Sequence, residues 1–82
     1  MKIYEKIRLL RFKSDMKQKE IAEILGTKQA TFSSWELGRA IPVYKSLKPL
    51  IELGKKYDIE FTFDDILSEK IDRQNFKKNK TE

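Results

Sequence analysis

Ile3, Ile7 and Leu10 recur at helical spacing with Lys and Arg between them, so residues 3–13 read as a first helix, with Phe12 a further candidate for its apolar side. The segment KSDM breaks that pattern. Residues 18–25 form a second, short pattern with Ile21, Ala22 and Leu25 on one face, ended by Gly26, which accepts a left-handed backbone without strain. Residues 28–36 form a third, anchored by Phe32 and Trp35 and stopped by Gly38. RAIPVYK reads as a loop, because Pro42 cannot continue a helix and biases Ile41 toward extended geometry. Ser46 is the expected cap of a fourth helix that tolerates Pro49 in its first turn and presents Leu47, Leu50, Ile51, Leu53 and Tyr57. Gly54 weakens that helix by roughly 1 kcal/mol relative to Ala, or marks a close helix contact. Thr62 with Asp65 resembles a capping box for a fifth helix, with Phe63, Ile66, Leu67 and Ile71 on one face. No strand pattern and no internal repeat stand out. The expected fold is all-α: a compact bundle of four to five short helices over residues 1–71, followed by a flexible, lysine-rich polar tail over residues 72–82 that is frayed from about Gln74.

Composition narrows the chemistry. A chain of 82 residues holds one modest core. Cysteine and histidine are both absent, which removes disulfides, thiolate metal sites and the commonest general base. There is no glycine-rich phosphate loop, and the one acidic pair, Asp64–Asp65, is explained by helix capping. The expectation is therefore a protein that is not an enzyme and uses no metal or cofactor. No apolar run approaches the ~20 residues of a membrane span, and no signal-peptide core opens the chain. A cytoplasmic protein with no membrane partner is expected.

Charge adds a partner class. The net charge is +5, distributed as +4 over residues 1–40, −1 over residues 41–67 and +2 over residues 68–82. A basic first half suits a polyanion, although lysine-rich surfaces are common in their own right.

The third helix sharpens this. At 100° per residue Phe32 and Trp35 mark its inner side, while Ala30, Ser33 and Ser34 fall almost opposite, with Gln29 on one flank. A face that only needed to meet water would favour Glu and Lys, which are better helix formers than Ser. Small residues let the backbone approach another surface. A DNA major groove is about 12 Å wide and admits one helix; within it Gln can bond adenine in bidentate fashion, Ser can reach several base edges and Ala can pack on a thymine methyl. The alternative is an ordinary solvated face rich in Ser and Ala.

Residues 18–25, then Gly26, then residues 28–36 make helix, tight turn, helix, and Ala22 is small where two crossing helices nearly touch. Here QKEIAEILGTKQATFSSWELGRAIP resembles the lambda-repressor-like, Cro/Xre-type helix-turn-helix family, over about residues 3–67. Gln18 opens the second helix, Ile21–Ala22 fill the Leu-Ala position, Gly26 is the turn glycine, and Phe32, Trp35, Glu36, Gly38 and Pro42 follow in register. The resemblance implies that the third helix enters the major groove. It implies base reading by Lys28, Gln29, Ala30 and Ser34, with Ser33 reading a base or touching the backbone. It implies phosphate contacts from Gln18 and Arg39, and an ion pair between Arg11 and Glu36 whose disruption costs roughly 3–5 kcal/mol if well buried.

Three features depart from the family. Lys17 and Lys28 stand where Ser, Thr or Asn usually opens the second and third helices. Lysine caps poorly and opposes the positive end of the helix dipole. Thr27 is an alternative cap for the third helix, and Ser14 or Asp15 for the second. Beside a DNA phosphate the sign reverses, which makes both lysines candidate phosphate clamps. The loop AIPVYK is about four residues longer than the family norm, and its Ile41, Val43 and Tyr44 either cover the core or meet a partner.

The expected function is a sequence-specific, double-stranded DNA-binding transcriptional regulator, a repressor acting as a homodimer on an operator. Small members of this kind resemble phage or mobile-element regulators and antitoxins. The alternative is a protein-interaction or antitoxin-like module that keeps the fold and binds a protein partner through the loop and the fifth helix.

Overall fold

The computed structural model describes residues 1–81, with side chains for residues 1–74. Five α-helices follow one another: α1 (Ile3–Ser14), α2 (Gln18–Ile24), α3 (Gln29–Glu36), α4 (Tyr44–Lys56) and α5 (Phe63–Thr81). No strand occurs among the described residues. The chain is a compact all-α bundle, and the apolar pattern builds its core. Ile3, Ile7 and Leu10 of α1 meet Ile21, Ala22 and Leu25, then Phe32 and Trp35 of α3, Leu47, Leu50 and Leu53 of α4, and Ile66 of α5. Phe32 and Trp35 pack edge to face with centroids 6.1 Å apart, a geometry aromatic quadrupoles favour. Phe12 is not part of this core: it is 82% exposed, because α1 turns Leu10 inward and Phe12 two residues later points away.

The turn between α2 and α3 is closed by main-chain bonds. Thr27 N–H donates to the Ala22 carbonyl at 2.9 Å and Gly26 N–H to that of Glu23 at 3.1 Å, with Gly26 at φ 70°. That pattern satisfies the last carbonyls of α2, and a Cβ at this backbone angle would be strained.

Helix starts differ from expectation. Lys2 and Lys17 occupy the N-cap positions of α1 and α2, and an ammonium cannot accept the bonds a cap must take. Each helix instead uses a glutamate three residues on. Glu5 accepts from Lys2 N–H at 2.9 Å and Glu20 from Lys17 N–H at 3.1 Å. Ser14 does not cap α2; its hydroxyl donates to the Arg11 carbonyl and accepts from Met16 N–H. Asp15 closes α1 in a left-handed conformation instead. Lys28, not Thr27, is the N-cap of α3, and it makes no side-chain cap bond.

α4 begins before Ser46. Pro42, fully buried, is followed by Val43 in extended geometry, and Val43 is the N-cap. Ser46 N–H donates to the Val43 carbonyl at 2.9 Å, so Ser46 lies inside the first turn. Pro49 is consequently well inside α4, where it has no N–H to offer the Lys45 carbonyl. The turn after α4 carries core residues that helical periodicity misses: Ile59 and Phe61 are both buried. They explain Gly54, since a Cβ there would stand 2.5 Å from the Ile59 carbonyl oxygen and 2.7 Å from the Phe61 ring. The close contact is with this turn rather than with a helix.

At the start of α5 the capping box forms: Thr62 N–H donates to Asp65 at 2.8 Å, and Asp65 N–H to the Thr62 hydroxyl at 3.3 Å. Asp65 also pairs with Lys6 at 2.9 Å, tying α5 to α1. Among the α5 residues with described side chains only Ile66 is buried, whereas Phe63, Leu67 and Ile71 are each about half exposed or nearly so. Arg73, in the segment expected to be tail, folds back onto the chain after α3. The expected flexibility beyond Gln74 lies outside the residues with described side chains.

Candidate nucleic-acid interface

α3 turns Phe32 and Trp35 into the core, and the same 100° rotation leaves Gln29 and Ala30 exposed; the N-cap Lys28 is exposed as well. Ser33 and Ser34 are half-buried on the same outward side. Of the five residues expected to read bases, Gln29, Ala30, Ser33 and Ser34 thus share the outer side of α3, while Lys28 stands at its entrance as the N-cap. Ser34 Oγ donates to the Ala30 carbonyl one turn back at 3.1 Å. Leu37 continues this face at its C-terminal end and is 53% exposed. It lies four residues after Ser33, so extending the helical wheel by one turn finds it.

Behind that face sits a polar network. Glu36, 4% exposed, accepts through Oε1 from Arg11 Nε at 2.8 Å and from Gln18 Nε2 at 2.9 Å. Gln18 Oε1 in turn faces Gln29 Nε2 at 3.5 Å, the outer limit of a hydrogen bond. Helices α1, α2 and α3 are therefore joined through one buried carboxylate, and the chain of contacts ends on an outward-facing side chain. Gln18 keeps one amide hydrogen free for an external oxygen. The Arg11–Glu36 pair is less enclosed than a buried ion pair, since the Arg11 side chain is 42% exposed. A guanidinium stranded there stays in contact with water, and the cost of losing Glu36 falls below the range for buried pairs.

Lys17 and Arg39 are exposed. An open cleft of about 740 Å³ is lined by Arg8, Arg11, Phe12, Gln18, Ser33 and Leu37 among others, and by neither Lys17 nor Arg39. Pattern reading missed Arg8. Its Nε donates to the Glu36 main-chain carbonyl at 2.9 Å, and its guanidinium lies 5.3 Å from the centre of the Tyr4 ring. A side chain that bonds main chain leaves no partner residue in the sequence to find.

The extended loop divides in two. Ile41 packs against the core, while Val43 and Tyr44 are exposed, Tyr44 at 69%. Tyr44, the first residue of α4, meets Phe63 edge to face at 5.5 Å, so the starts of α4 and α5 share one apolar contact.

Among the described residues no group of acidic side chains could hold a metal ion, and no helix is long and apolar enough to cross a membrane. No family model, no curated protein and no solved structure matches the chain.

Proposed function

We propose that the chain is a sequence-specific DNA-binding regulator of the helix-turn-helix kind, similar to lambda-repressor-like Cro/Xre proteins. α3 lies in the major groove, and Lys28, Gln29, Ala30, Ser33 and Ser34 face the bases. Lys17, Gln18 and Arg39 hold phosphates. The observation that carries this reading is the outward face of α3: small side chains, with Gln29 and Ala30 exposed and Ser33 and Ser34 half-buried, backed by a network in which Glu36 orients Gln18 and Gln18 meets Gln29. A base-reading glutamine gains from being held in place before it binds. The protein acts as a repressor in the cytoplasm, without catalysis of its own.

The exposed patch of Val43, Tyr44, Phe63, Leu67 and Ile71 supports a homodimer, which sets two half-sites on the duplex about one helical turn apart. The same patch favours a second reading, in which the chain binds a protein partner and the α3 face is only solvated.

Selection from a random duplex library, followed by titration of the winner at several salt concentrations, separates the two. The DNA reading expects an enriched palindrome, and Gln29→Ala weakens discrimination at one base pair per half-site by about 1–3 kcal/mol. Salt-sensitive binding with no sequence preference overturns it.

A further inference from the structure

The C-terminal end of α3 is held from two sides. From α1, Arg8 bonds the Glu36 carbonyl. From α5, Arg73 Nη2 donates to the Gly38 carbonyl at 2.7 Å and Nη1 to that of Arg39 at 3.5 Å, while its Nε lies 3.4 Å from the Glu69 carboxylate. A helix C-terminus carries partial negative charge, so a guanidinium beside it is favourably placed. Tyr4 confines the same segment: its ring lies 3.4 Å from where a Cβ on Gly38 would stand. The main chain of Gly38, Arg39 and Ala40 is further tied by two bonds to the Ser34 carbonyl, from Arg39 N–H at 2.9 Å and Ala40 N–H at 3.3 Å. Arg39 itself is exposed.

We propose that Arg73 is a positioning residue for Arg39. It holds the two carbonyls on which the Arg39 side chain is mounted, and so aims that side chain at a duplex phosphate. Arg73 touches no DNA in this arrangement. Its role rests on the reading of α3 as a groove-binding helix. The task suits arginine, whose planar fork can bond two carbonyls and a carboxylate together, whereas lysine offers a single charged point. The latch also links α5 to the middle of the chain. The helix that presents Leu67 and Ile71 on one side uses another side to grip the segment after α3.

The test compares wild type, Arg73→Ala, Arg73→Lys, Arg39→Ala and the double alanine variant on the selected duplex, alongside amide hydrogen exchange of the free protein. Arg73 is partly exposed, so Arg73→Ala is expected to fold and to exchange the Arg39 and Ala40 amides faster. Operator binding is expected to weaken about fivefold to tenfold, with the salt slope lower by about one, as for loss of one phosphate contact. Arg73→Lys falls between the two, and adding Arg73→Ala to Arg39→Ala costs nothing more. Unchanged exchange at residues 39 and 40 overturns the latch whatever the DNA result. Additive losses overturn action through Arg39. A wild-type chain with no duplex preference overturns the DNA reading, and the positioning role with it, while the exchange measurement still reports separately on the latch.

Discussion

On the outward side of α3 stand Gln29, Ala30, Ser33 and Ser34; on α5 one exposed stripe, among other exposed polar residues, is apolar: Phe63, Leu67 and Ile71. The first set gains little from being covered by protein, because it offers hydrogen bonds and close backbone approach rather than apolar area. The second gains about 25 cal/mol for each Å² of apolar surface removed from water. The two faces also differ in what lies behind them. Beneath α3 a buried carboxylate organises three helices by hydrogen bonds. Beneath the α5 face lies Ile66, in a core held by packing. A partner that reads geometry suits the first surface, and one that only needs apolar contact suits the second.

This contrast can be tested from both ends. The largest expected effect is at Glu36. Glu36→Ala frees Arg11 and Gln18 together and is expected to cost about 2 kcal/mol in urea denaturation, less than a fully buried pair because Arg11 meets water. A loss under 0.5 kcal/mol would mean the network does not hold the three helices together. Next come the lysines at the helix starts. Lys17→Ser and Lys28→Ser should each raise stability by about 0.5–1 kcal/mol by supplying a cap, and should lower the salt slope of DNA binding by about one per lysine removed. Stabilisation with an unchanged slope would mean that neither lysine clamps a phosphate. The smallest effect on monomer stability is expected on the apolar face. Tyr44→Ser with Leu67→Ser should change the unfolding free energy of the monomer by only about 0.5 kcal/mol or less, because both side chains already meet solvent. Sedimentation should nevertheless show loss of the dimer. A dimer that survives both substitutions moves the interface elsewhere.

The first three helices were legible in the sequence because each keeps its apolar period and ends on a residue that favours a left-handed backbone or stops the pattern. The start of α4 was not. Ser46 carries a strong capping signal, but the geometry set by Pro42 and Val43 determines where the helix begins. Ile59 and Phe61 escaped because two apolar residues in a short turn have no period to recognise. The outward face of α3 followed from angular spacing alone. Arg73 and Arg8 did not, since each bonds main-chain oxygens far away along the chain and no local pattern encodes such a partner.

The bond from Ser34 to the Ala30 carbonyl has a chemical consequence. A hydroxyl has one proton, and here that proton points back along the helix. What Ser34 turns outward is lone-pair density. On a helix lying in the major groove such a group pairs with amino hydrogens, those on N6 of adenine or N4 of cytosine, and is repelled by the N7 and O6 acceptors of guanine. Under the proposed groove reading, the backbone of α3 therefore sets the polarity at Ser34, which would favour an amino group opposite it over a carbonyl.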